Sequence, residues 1–285
     1  MKPVDLILLR DQLLAAIRED TGSGDVTSRS TIDSEWTAVA RYVTKQDLIV
    51  SGLPVVEELA RLCDAGLRFR SLSADGDAVP ANTVLAEVQG NAHSILTLER
   101  TSLNFLQRLS GIATATAEYV ARVSGTVARI VDTRKTVPGL RLLDKYAVRC
   151  GGGLNHRFGL FDGVLIKNNH LVFHPGVAEA VQAARQRLGH LARIEVEVTN
   201  PRELDEAIAG GADVILLDNH TPRETRTAVL SVSGRVPLES SGGISLENVR
   251  DYADAGVDYV SVGALTHSVT GVDIHLQVRP TRTGH

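Results

Sequence analysis

Between residues 127 and 262 the chain alternates, unit after unit, between two hydrophobic periods. Short, mostly β-branched runs stand at Val127–Val131, Gly163–Ile166, Ile194–Val198, Val214–Leu217, Val236–Leu238 and Tyr259–Val262. Helical patterns separate most of them, at Gly176–Leu188, Pro201–Ala209, Pro222–Val232 and Leu246–Ala255. Strands that alternate with helices pair in parallel through crossover connections, so the pattern predicts βαβ units. Gly210-Gly211-Ala212-Asp213 and Ala255-Gly256-Val257-Asp258 each suit a helix C-cap followed by a tight loop into a strand. Six such units point to a β/α barrel, complete or incomplete, with a doubly wound open sheet as the other arrangement. Both architectures gather ligands at the C-terminal ends of their strands.

The first hundred residues have another texture. Residues 5–19 read as an amphipathic helix carrying Leu9, Leu13, Leu14 and Ile17 on one face, ended by the turn-rich Glu19–Asp25. Strand-like runs follow at Ala38–Thr44, Asp47–Ser51, Gly66–Ser71 and Val84–Val88, with a helical pattern over 54–64. Irregular mixing of the two periods predicts a compact α+β unit. A long helix over 93–122 comes next, with Gly111 expected to break or kink it.

Composition narrows the function. Lys plus Arg number 30 and Asp plus Glu 34, for a net charge of −4, so no overall cationic field favours a nucleic-acid backbone. The Leu6–Leu9 run is too short for a signal-peptide core, and no stretch approaches the ~18 apolar residues of a membrane span. Cys63 and Cys150 are far apart and in no metal-like spacing. A cytoplasmic protein without nucleic-acid or membrane partners is the expectation.

The residues just after each run carry the chemistry. They are Asp132-Thr133-Arg134-Lys135-Thr136, Lys167-Asn168-Asn169-His170, Thr199-Asn200, Asp218-Asn219-His220, Glu239-Ser240-Ser241-Gly242-Gly243 and Gly263-Ala264-Leu265-Thr266-His267. A single polar residue at a strand end is usually a solvated loop residue, but six consecutive units behaving alike are not easily supplied by chance. Arg134, Lys135, His156, Arg157, Lys167 and His170 form a cationic set, and several cations together imply a substrate with more than one negative charge. Glu197 and Asp218 suit sugar hydroxyls or a hydrated Mg²⁺. Glu195 shares a strand face with Glu197, and one or both can instead pair with nearby cations. Ser241-Gly242-Gly243 and Gly263-Ala264 follow the last two strands, the common place for a phosphate in barrels. Arg149-Cys150-Gly151-Gly152-Gly153-Leu154-Asn155-His156-Arg157 is neither a Walker A loop nor a dinucleotide fingerprint, and no base stands beside Cys150 to make it a nucleophile.

Long strings of this sequence resemble the quinolinate phosphoribosyltransferase family. They are Asp132–Arg141, Lys145–Arg149, Gly151–Arg157, Leu165–His170, Glu195–Val198, Leu216–Asn219, Glu239–Ile244 and Val262–Ser268, with Glu19-Asp20, Gly24–Thr27 and Glu99–Asn104 before them. The resemblance implies an α/β chain: an N-terminal α/β sandwich domain over 1–111, rejoined by the tail 272–285, and an incomplete, six- to seven-stranded α/β barrel over 112–271. It implies that Arg134, His156, Arg157 and Lys167 hold the two carboxylates of quinolinate. Arg100 would reach the neighbouring site of a homodimer, and Thr133 would lie among the substrate-binding residues. Lys135 would contact the pyrophosphate of 5-phosphoribosyl 1-pyrophosphate, and Glu197 and Asp218 the ribose and a Mg²⁺ cofactor. Ser241, Gly242, Gly243, Gly263, Ala264 and His267 would surround a phosphate. Lys135, Lys167, Glu197 and Asp218 would do the catalytic work.

One departure stands out: Asn168 occupies a position where the family commonly has Asp. A sister group linked to molybdenum uptake shares the fold, and the complete cationic set argues against it. A non-catalytic anion binder would not need Lys135, Glu197 and Asp218, and a phosphosugar isomerase or aldolase would need no pyridine.

Overall fold

The computed structural model describes residues 4–281. Its strands are β1 (Thr37–Thr44), β2 (Leu48–Ile49), β3 (Arg68–Ser71), β4 (Ala78–Val79), β5 (Val84–Asn91), β6 (Arg129–Val131), β7 (Val164–Ile166), β8 (Ile194–Val198), β9 (Val214–Asp218), β10 (Leu238–Ser241), β11 (Tyr259–Ser261) and β12 (Ile274–Thr281). The chain divides into two compact units, one of Met1–Ala115, Val137–Gly152 and Val269–His285, the other of Thr116–Thr136 and Gly153–Ser268.

In the first unit β12, β1, β5 and β3 make an antiparallel sheet in that order. The period-2 pattern of β1 buries Ala38, Ala40 and Tyr42 on one face, and the Tyr42 hydroxyl meets Ser102 Oγ at 2.8 Å. Ser102 lies on the helix Ala92–Arg122, which supplies Ile95, Leu98, Leu106 and Leu109 to the core at helical spacing. On the other face Glu87 stands opposite both Arg41 and Arg70 and binds them at 2.7 and 2.5 Å.

The long helix does not break at Gly111. A Cβ there would overlap the backbone carbonyl of Thr270, so glycine serves a close approach of two chain segments. The segment 137–152, read from sequence as part of the barrel, clusters with the first unit instead. Its helix Arg141–Cys150 ties in through Asp144 to Arg108 at 2.9 Å and Tyr146 to Asp75 at 2.8 Å. The returning tail supplies β12, and residues 282–285 of the expected tail lie outside the described residues.

The second unit holds a six-stranded parallel sheet in the order β6-β11-β10-β9-β8-β7. That is the circular order of a barrel opened between β6 and β7. Leu154 lies in the gap, bridged in parallel to Val131 and bonded to the backbone of Ile130 and Asp132. All five residues of β8 are buried, as a strand covered on both faces must be. Helices Val177–Arg187, Pro201–Gly210, Pro222–Val232 and Val249–Ala255 return the chain between strands. Asn200 and Thr221 cap two of them, and Glu224 completes a reciprocal box with Thr221. Past two helix ends, the carboxylates of Asp213 and Asp258 accept the first backbone N–H of the adjacent strand, at Ile194 (2.7 Å) and Leu238 (2.9 Å). The repeated Gly-Ala/Val-Asp pattern thus sets strand register.

Candidate active site

Parallel strands bring all their C-terminal ends to one edge. Thr133, Arg134 and Lys135 follow β6 there, Lys167 follows β7, and Glu197 lies within β8. Asp218 and Ser241 end β9 and β10, and Gly263 lies two residues past β11. Apart from Arg100, the sequence-predicted set belongs to the second unit. Arg100 is exposed on the helix Ala92–Arg122, in the first unit.

The cations are crowded. Burial, and next the like charge of Arg134, hold the Arg157 guanidinium below its usual value, while Glu195 and Asp162 oppose the shift. Arg157 donates from Nη1 to Gly163 O at 3.0 Å, and its buried Nε has no hydrogen-bond partner. Lys167 Nζ pairs with Glu197 Oε2 at 2.5 Å, a half-exposed ammonium against a buried carboxylate. Glu197 is in register with Leu216, so Asp218, two residues further along β9, points to the same face one step nearer the edge. Asn219 Nδ2 donates to Asp218 Oδ2 at 2.9 Å.

The last two strand ends form a cradle. Gly242 has φ +99°, and a Cβ there would overlap the Asn219 side-chain oxygen, so only glycine fits this turn. The Lys135 Cδ and the His267 ring both lie 3.1–3.2 Å from the position a Gly263 Cβ would take, which places an ammonium chain and an imidazole over one glycine. Thr266 Oγ1 fixes the Lys135 carbonyl at 2.8 Å. Gly263 and Ala264 open the short helix Ala264–His267.

His156 is turned inward. Its Nε2 lies 2.8 Å from Glu195 Oε2 and 3.8 Å from Glu239 Oε1, and its Nδ1 accepts the Arg157 backbone N–H at 2.7 Å. Burial, and next the charge of Glu195, push the Glu239 carboxyl up to about 7. The cluster lines a cavity of about 340 Å³ together with Arg157 and with Val164, Val214 and Tyr259, the first residues of three strands. It therefore reaches toward the N-terminal ends of the strands. Asp132 is fully buried and receives Asn155 Nδ2 at 2.6 Å and the His156 backbone N–H at 2.9 Å.

Sequence reasoning singled out neither Asp132 nor Glu239 as a group that organises the site. The available signal was an acidic residue within or directly after a short strand run. The reading that one or both of Glu195 and Glu197 pair with cations holds for Glu197, which meets the Lys167 ammonium, while Glu195 meets the His156 ring. Cys150 is buried and its thiol is pushed up to about 11 by burial, so it carries no thiolate character.

Two family models, the N-terminal and C-terminal domains of quinolinate phosphoribosyl transferase, match residues 25–110 and 112–277. The probable nicotinate-nucleotide pyrophosphorylase (carboxylating) of Bacillus subtilis is 45% identical over 260 residues, 91% of this chain and 90% of that protein. The Mycobacterium leprae nicotinate-nucleotide pyrophosphorylase (carboxylating) is 43% identical over 277 residues, covering 94% and 96%. NadC from Streptococcus pyogenes superposes with a TM-score of 0.95 at 36% identity, over 99% of this chain and 100% of that one. The Francisella tularensis nicotinate-nucleotide pyrophosphorylase gives 0.92 at 41%, over 97% and 98%. Strand-end chemistry, open barrel and both sequence domains agree: the chain belongs to the quinolinate phosphoribosyltransferase family.

Proposed function

We propose that this chain joins quinolinate to 5-phosphoribosyl 1-pyrophosphate, releasing CO₂ and pyrophosphate and leaving nicotinate mononucleotide, a step of de novo NAD biosynthesis. The observation that carries this reading is the Arg134–Arg157 pair. The charge of Arg134 and partial burial both weigh on the Arg157 guanidinium, and a dianionic substrate would relieve that like-charge contact. Beyond them stand the Glu197 and Asp218 carboxylates for ribose hydroxyls, then the Gly242 and Gly263 turns for a phosphate.

Arg134, Arg157 and Lys167 hold the pyridine dicarboxylate with its ring nitrogen facing the anomeric carbon. The nitrogen lone pair forms the new C–N bond as the C–O bond to pyrophosphate breaks through an oxocarbenium-like state. Lys135, beside the last glycine turn, meets the charge that grows on the leaving oxygen. The electron pair of the breaking C–C bond stays on the ring carbon as CO₂ departs, stabilised there by the positive charge of the adjacent quaternised nitrogen, and that carbon then takes a proton from solvent. Glu197 and Asp218 offer hard oxygen donors on neighbouring strands and one face, a donor set that suits Mg²⁺. When bound, Mg²⁺ neutralises part of the pyrophosphate charge.

A cytoplasmic homodimer belongs to the same proposal. Leu160, Phe161, Val172 and Phe173, before and after β7, are exposed apolar side chains that a second copy would cover. Mixing inactive Arg100→Ala chains with inactive Arg134→Ala chains should recover partial activity if Arg100 serves the partner's site; no recovery argues against sharing. The reaction itself is tested by incubating purified protein with quinolinate, 5-phosphoribosyl 1-pyrophosphate and Mg²⁺ and following nicotinate mononucleotide by mass. Product that requires all three components is expected, and its absence sinks the reading.

A further inference from the structure

Both ring nitrogens of His156 are committed inside the second unit. Because Nδ1 accepts the Arg157 backbone N–H, it carries no proton, and the single ring proton sits on Nε2, donated to Glu195. Neutral His156 is thus no cation for a substrate carboxylate, the role its family resemblance implied. The same tautomer disfavours a metal ion. His156, Glu195 and Glu239 bring ligand atoms within 4.8 Å of one another, but the Nε2 lone pair that a metal needs is occupied by the proton.

We propose that Glu195 is a positioning residue for quinolinate, acting through neutral His156 to fix the backbone from which Arg157 springs. The proposal rests on the reading that Arg157 holds a substrate carboxylate. The stretch Gly153–Arg157 crosses the gap between β6 and β7, where its ladder consists of the Leu154 bridge. Three side-chain anchors replace strand pairing. Asp132 holds Asn155 and the His156 N–H from one side. Arg157 Nη1 ties forward to Gly163. The relay from Glu195 through the imidazole to the Arg157 N–H is the third, and it ties the Arg157 backbone to β8, while the Glu195 charge also acts on the Arg157 guanidinium directly. Glu239, 4% exposed, faces the same Nε2 from β10 and walls in the ring.

The test is steady-state kinetics on Glu195→Ala and Glu195→Gln, with ring ¹⁵N spectra of the wild-type protein. A lost hydrogen bond contributes up to ~1.5 kcal/mol, so Glu195→Ala should raise the quinolinate KM by roughly tenfold and leave the 5-phosphoribosyl 1-pyrophosphate KM nearly unchanged. Glu195→Gln keeps an acceptor oxygen for Nε2–H and should return the quinolinate KM to within about twofold. Equal rises in both KM values, or a Gln variant no better than Ala, would overturn the proposal. So would an imidazolium, or a ring protonated on Nδ1, in the ¹⁵N spectrum at neutral pH. That spectrum needs neither turnover nor a variant that folds, so an inactive wild-type protein refutes the enzymatic reading while the tautomer is still decided.

Discussion

The two units treat buried polarity differently. In the antiparallel unit the buried polar groups close on each other. Tyr42 meets Ser102, Asp144 meets Arg108, and Asp75 takes the N–H groups of Gly52 and Leu53 as well as the Tyr146 hydroxyl. Among the described residues of the parallel unit, Arg157, Glu195, Glu239 and Ser240 each keep a buried polar atom with no hydrogen-bond partner at or just inside the open sheet, and Thr225 keeps one on the helix Pro222–Val232. Arg149 and His275 are the corresponding atoms in the first unit, and they belong to separate segments. An unpaired buried polar atom costs about 1–3 kcal/mol. A fold bears that cost in one cluster where the cluster does something. The difference fits the proposal that the second unit carries the chemistry and the first supports it.

The largest expected effect removes a cation from the chemical unit. Arg134→Ala should lower kcat/KM for quinolinate by ~2–5 kcal/mol of transition-state binding, because a desolvated carboxylate is left unpaired. Unchanged catalytic efficiency would erase the contrast.

The second effect tests the buried acid inside the same sheet. Glu239 is raised from 4.5 to about 7, so the folded state binds its proton more tightly than the unfolded chain does. The stability this gives is complete below about pH 4.5 and is lost as pH rises through about 7. Glu239→Gln removes that dependence. Relative to wild type, the variant should gain about 1–3 kcal/mol between pH 5 and pH 8, read by urea unfolding across the range. Parallel curves for the two proteins would place the raised carboxyl elsewhere.

On the scaffold side, Gly111→Ala should cost about 1–3 kcal/mol and lower Tm, because the new methyl overlaps the Thr270 carbonyl. KM values measured below the transition should stay put. A kinetic change larger than the stability change would show that the first unit does more than support.

The alternation of periods made the parallel unit legible, and β8 coincides with its expected span because Ile194–Val198 is apolar at three positions and bounded by turn residues. The edge residues Arg134, Lys167, Asp218 and Ser241 were equally legible, since in a parallel sheet the position after a strand is already a location in space. Two kinds of feature were not. Gly111 reads as a helix breaker because its reason lies 159 residues away at Thr270, and no local pattern encodes a close approach. The helix Arg141–Cys150 went unread although Leu143, Tyr146, Ala147 and Cys150 recur at helical spacing, because buried Asp144 and Lys145 interrupt the apolar run. The orientation of His156 also escaped, because residue type suggests a cation facing substrate and only the contacts at its two nitrogens show the ring turned to Glu195 and the Arg157 N–H.

Cys150 gives the smallest effect and the sharpest control, because it directly precedes the glycines that lead to the His156 loop yet belongs to the scaffold unit. Its thiol accepts from Ser51 Oγ at 3.2 Å and is kept protonated by burial. Cys150→Ala removes one small buried group, so a stability loss of about 1 kcal/mol is expected, a shift of ~2–4 °C in Tm. Both KM values and kcat should stay within about twofold, because no thiolate takes part in the reaction. Loss of kcat with Tm intact would move Cys150 out of the scaffold, and the division between the two units would have to be redrawn through the residue that joins them.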